Sequence, residues 1–259
     1  MSEAAGAARG QGEPRDVFNP ESFPFLLITA GIGAYWVAAG GGRVAMVGLA
    51  LTFAGDVWRL GQRLARGTVP GAGRGPASVP VVPFLALGLV AHGALWRLLE
   101  IEPATRLVDG VRVAAGLYAL GILWTGPLRT PRDIWRSILG LQAGAAQALL
   151  LGVPLSWLLR PTSLAAGRPE IAGPVALLAC GAWILSAVRI QRGPQTRRRP
   201  LVATGAVILA GMLLAWTTYQ AATLDAAPGG AAVRALLISC LALAAVGAIN
   251  LWGAVPRRG

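Results

Sequence analysis

Residues 44–62, VAMVGLALTFAGDVWRLGQ, and residues 79–99, VPVVPFLALGLVAHGALWRLL, are two long apolar runs joined by an arginine-studded link. Each matches the roughly 20 residues that a helix needs to cross about 30 Å of hydrocarbon. The first run carries an acid, Asp56, and the second the only histidine in the chain, His92. Ionisable groups are costly at membrane depth, so both are candidate site residues.

Six further apolar runs share this character: 23–40, 110–128, 137–159, 171–190, 200–222 and 232–254. The run 23–40 is the least regular, being short and ending in Gly40-Gly41-Gly42. Of the 259 residues, 55% are hydrophobic and 13% charged, about half the charged share of a soluble domain. The expected fold is all-α: a polytopic membrane helix bundle of eight spans, with seven as the alternative. Residues 1–21 are polar and carry acids among their charges. They lack the basic start and apolar core of a signal peptide and are expected to form a disordered tail. Residues 22–256 are then a single transmembrane bundle domain.

Arginine placement tests the span count independently. With the N-terminus in the cytoplasm and eight spans, sixteen of the 23 basic residues fall on the cytoplasmic side, as the positive-inside rule requires. Both termini are then cytoplasmic, and the expected location is the plasma (inner) membrane. Eight tryptophans, Trp36, Trp58, Trp96, Trp124, Trp157, Trp183, Trp216 and Trp252, fall one to each run, the pattern of an interfacial aromatic belt.

Composition also excludes several chemistries. The net charge of +12 invites a nucleic-acid reading, but no segment between the runs could form a contiguous basic face, so no nucleic-acid partner is expected. Every basic residue is arginine, which removes Schiff-base chemistry. One histidine rules out bis-histidine haem ligation within the chain. Cys180 and Cys240 each stand in an apolar run with no CxxC pattern, and small core residues is the simpler reading. No cofactor is expected.

Gly48, Thr52 and Asp56 recur every four residues and share one helix face. Small residues there let a second helix approach, which would aim Asp56 into the bundle. The competing reading places Asp56 near the cytoplasmic end, paired with Arg59 or Arg63. His92 stands about 18 Å into its run at 1.5 Å per residue; it is either a packing histidine bonded between helices or a proton-transfer group. Gly140, Gly144, Ala148 and Gly152 form a second small-residue ridge, with Gln142 and Gln147 as amides able to bridge helices. Thr217, Thr218, Tyr219 and Gln220 make a polar helix end expected to be wetted.

The segments GLALTFAGDV and LGLVAHGALW resemble the lysoplasmalogenase-like (YhhN) family of eight-helix membrane hydrolases. The Gly55-Asp56 pair and the Ala91-His92 pair followed by Trp96 carry the resemblance, over about a fifth of the chain. It implies hydrolysis of a lysoplasmalogen vinyl-ether bond, with Asp56 and His92 as catalytic proton-transfer groups. The residues themselves favour a non-catalytic bundle, either transporter-like or a subunit of a membrane complex. One acid at most at membrane depth is too few for ion coupling. The partners expected are membrane lipids and a small apolar or neutral substrate.

Overall fold

The computed structural model describes residues 22–38, 43–65, 81–83, 85–86, 102–124, 131–159, 198–223 and 230–254. These form six long helices: α1 Ser22–Val37, α2 Arg43–Ala65, α3 Glu102–Trp124, α4 Pro131–Leu159, α5 Arg198–Thr223 and α6 Ala231–Ala254. Two further helical pieces stand at 82–83 and 85–86. No strand occurs among the described residues, as an all-α chain requires. Most of the run 79–99, all of 171–190 and the tail 1–21 lie outside the described residues.

Helix starts follow local chemistry. Glu102-Pro103 opens α3, and Pro131 followed by Asp133 opens α4. Proline is pre-organised for a first turn. Both helices therefore begin six or more residues before the apolar runs 110–128 and 137–159, because a helix needs an apolar face only where it is buried. Among the described residues, three stretches are long and apolar enough to cross a membrane: Arg43–Gln62, Leu141–Leu159 and Ala231–Asn250. Shorter apolar helical stretches stand at Ser22–Val37, Gly110–Gly121 and Leu201–Thr217.

The irregular first run is the centre of the bundle. Helix α1 packs against α2, α3, α4 and α6, and ten of its sixteen residues are buried. Its apolar character runs all round the helix, as suits a rod with neighbours on every side. Helix α4 is the second hub, touching α1, α3, α5 and α6, while α5 and α6 pair as a hairpin.

Two small-residue contacts hold α1 in place. Toward α2, Gly48 lies under the Gly31 carbonyl and Tyr35 backbone: a Cβ at Gly48 would come within 2.7 Å of that oxygen. Gly31 in turn meets Thr52, and Gly55 sits 2.7 Å by the same measure from the Pro24 carbonyl. The α2 stripe expected from its four-residue spacing is thus the α1 interface, the two helices running antiparallel. Toward α4, Gly33 touches the Ala148 carbonyl and Gly152, backbone against backbone. Part of the expected ridge on α4 is therefore in use. Such approaches need glycine because any side chain would hold the axes apart.

Four threonine and serine hydroxyls bond back to their own helices. Thr29, Thr52 and Thr217 each donate to the carbonyl four residues earlier, at 2.7–2.8 Å, and Ser156 donates to Val153 O at 2.8 Å beside Pro154. Thr217 is fully buried rather than wetted, because its hydroxyl is consumed by Leu213 O of its own helix. Tyr219 is exposed as expected.

Candidate functional site

Asp56 stands one turn beyond Thr52 on α2, beside Gly55, at the level where α1 begins. Next to it Phe23 and Trp58 stack with ring centroids 6.0 Å apart and planes 5° from parallel. The Asp56 side chain is 11% exposed, and its Oδ1 accepts a 2.9 Å bond from Arg59 Nη2. Its Oδ2 accepts the backbone N–H groups of Val81 and Val82 at 2.8 and 3.1 Å. Those two residues stand at the start of the helical piece at 82–83, where backbone donors have no intrahelical partner. Asp56 therefore caps that start from a neighbouring helix, with Val81 and Leu85 fully buried beside it. A carboxylate offers about four lone-pair positions, and three are engaged.

The pairing expected between Asp56 and Arg59 matches this geometry, although α2 continues for nine residues beyond Asp56 to Ala65. The Arg63 side chain and all of His92 lie outside the described residues, as does Cys180. The geometry therefore brings Asp56 together with Arg59 and two amides, and says nothing of its relation to His92.

A second polar group was missed at the sequence level, where Arg112 counts only as one arginine on the outer side. It is 4% exposed and lies against the C-terminal end of α1. Its Nη1 donates to Ala38 O at 2.6 Å and its Nη2 to Trp36 O at 3.2 Å. The guanidinium carbon stands 5.8 Å from the Tyr35 ring centroid, inside cation–π range. Gly116, one turn on, leaves room for the Trp36 indole, whose Cζ2 would lie 2.7 Å from any Cβ there. The only sequence signal was an arginine four residues before a glycine within an apolar run. The Tyr35 hydroxyl and Trp36 Nε1 are buried and find no hydrogen-bond partner among the described residues. For Trp36 the belt expectation fails: its indole N–H faces α3 rather than water.

Elsewhere, Gln147 is fully buried at the α4–α6 contact, 3.6 Å from a Cβ placed at Gly247, while Gln142 is exposed. Asn250 donates to Val246 O at 2.9 Å, and Cys240 Sγ to Ala210 O at 3.2 Å, linking α6 to α5. Cys240 is thus a small buried residue at a helix contact. Among the described residues no three His, Cys, Asp or Glu side chains come together. Comparison with models of known families, with curated proteins and with solved structures finds no match for this chain.

Proposed function

We propose that the chain is a multi-pass integral protein of the plasma (inner) membrane, with eight spans and both termini cytoplasmic, acting as a non-catalytic bundle. Within that class it is transporter-like for an apolar or neutral solute, or a subunit of a membrane complex. The observation that carries this reading is the occupancy of Asp56: one oxygen holds Arg59 and the other two backbone amides. A general acid or base needs a lone pair aimed at a substrate; three of the roughly four positions on this carboxylate are spent on Arg59 and on pinning a helix start. The hydroxyls of Thr29, Thr52, Ser156 and Thr217, each bonded back to its own helix, likewise favour a packed bundle over a polar reaction chamber.

The membrane part is tested by alkaline carbonate extraction of membranes from expressing cells. The protein stays in the pellet if the reading holds, and release into the supernatant overturns it. The non-catalytic part is tested in proteoliposomes containing lysoplasmalogen, by following fatty-aldehyde release. No release above protein-free liposomes is expected. Release that disappears in Asp56→Asn, with the variant still folded, would assign the chain to the lysoplasmalogenase-like chemistry instead.

A further inference from the structure

We infer that the C-terminal end of α1 is a cation-binding site that the chain fills itself, with the Arg112 guanidinium from α3. The inference rests on the membrane reading above. Helix α1 has 16 residues, about 24 Å at 1.5 Å per residue, so it stops short of about 30 Å of hydrocarbon. Among the described residues, its last backbone bond runs from Ala38 N to Ala34 O at 3.0 Å. The last carbonyls of a helix have no intrahelical donors, and inside a bilayer they must find donors within the protein.

Arg112 supplies two of them at once, at Ala38 O and Trp36 O. Its planar fork suits this task, because two donors from one guanidinium meet two carbonyls that stand two residues apart. The negative end of the α1 dipole adds attraction for any cation placed there. The Tyr35 ring closes one side, and Gly116 allows α3 to lie close enough for the guanidinium to reach. Carbonyls at a helix end within a membrane, together with an aromatic face, form the type of site that holds small cations in broken helices. Here the cation is tethered, so α1 can end inside the bundle without recruiting a free ion. Removing the side chain leaves a vacant site whose ligand class is a guanidinium ion rather than a spherical alkali ion.

The test is chemical rescue. Wild-type protein, Arg112→Ala and Arg112→Ala combined with Tyr35→Leu are purified in detergent, and thermal unfolding is followed with methylguanidinium chloride or NaCl at equal ionic strength. Arg112→Ala should unfold at least about 5 °C below wild type. Methylguanidinium at about 10 mM should recover a saturable part of that loss, as a ligand bound only by the native state does. Wild type should not respond, and the Tyr35→Leu background should weaken the recovery. Equal recovery by NaCl, or none by methylguanidinium, overturns the site. Should Arg112→Ala not accumulate, Arg112→Lys replaces it, since an ammonium keeps the charge but not the fork. That variant should unfold below wild type, and equality with wild type overturns the inference. Carbonate extraction reads out separately: rescue in a chain that carbonate releases would keep the site and remove only the membrane argument.

Discussion

Replacing Gly152 by alanine should loosen the whole bundle, although it adds one methyl group. A Cβ at Gly152 falls on the Gly33 carbonyl and 2.6 Å from Ala34 N. Ordinary carbon contacts begin near 3.5 Å, so α1 and α4 must part by about 1 Å. Both atoms struck belong to backbone, which cannot swing aside as a side chain would. Helix α1 cannot step away freely either, because α2, α3 and α6 pack on its other sides. Overpacking of this kind costs about 1–3 kcal/mol, and the backbone contact places Gly152→Ala at about 3 kcal/mol. Alanine's better helix propensity offsets about 1 kcal/mol, leaving a net loss of about 2 kcal/mol. At about 2–4 °C per kcal/mol for a chain of this size, the unfolding temperature should fall by about 4–8 °C. Gly205→Ala is the control, since among the described residues beyond its own helix turn nothing stands within 4 Å of a Cβ there; it should be neutral or gain up to about 1 kcal/mol. Size-exclusion of the heated proteins in detergent, with intrinsic fluorescence detection, measures both. If Gly152→Ala proves as stable as Gly205→Ala, the α1–α4 backbone contact is not part of the native packing.

Two other variants separate the two uses of Asp56. Asp56→Ala strands the amides of Val81 and Val82, each costing about 1–3 kcal/mol, whereas Arg59→Ala breaks a partly exposed ion pair worth at most about 1 kcal/mol. Equal destabilisation in the same unfolding assay would mean that the ion pair, not the helix start, is what Asp56 serves. Single-tryptophan variants map the surface: Trp58 and Trp216 are exposed and Trp157 is 8% exposed. In bilayers of brominated lipid, Trp58 and Trp216 should be quenched and Trp157 spared; quenching of Trp157 alone would invert the assigned inside and outside of the bundle.

How much of the site was legible depended on the kind of partner each residue has. The ion pair of Asp56 with Arg59 could be expected because both ends are side chains three positions apart on one helix. The bonds to Val81 and Val82 could not, because any residue other than proline carries a backbone N–H, and it leaves no mark in the sequence. Arg112 was hidden for the same reason. Its acceptors are carbonyls 74 and 76 positions away, and an arginine near an apolar run looks the same whether it reaches headgroups or a helix end. Trp36 and Trp58 illustrate a related ambiguity. Both sit where an interfacial belt is expected, yet one is laid over Gly116 and the other exposed beside Phe23.

What the chain determines alone is local. Long apolar runs at low charge dictate helices, and four-residue spacing of Gly48 and Thr52, or of Ala148 and Gly152, dictates which face of each rod is thin. Which rod meets which face is a tertiary matter. Gly31 and Gly33 are two positions apart on α1 and point to different neighbours, α2 and α4, because successive helical residues turn by about 100°. The shortest and least regular run became the hub for that reason: small residues on several sides let neighbours close in, and proximity of whole helices is a property that no single segment contains.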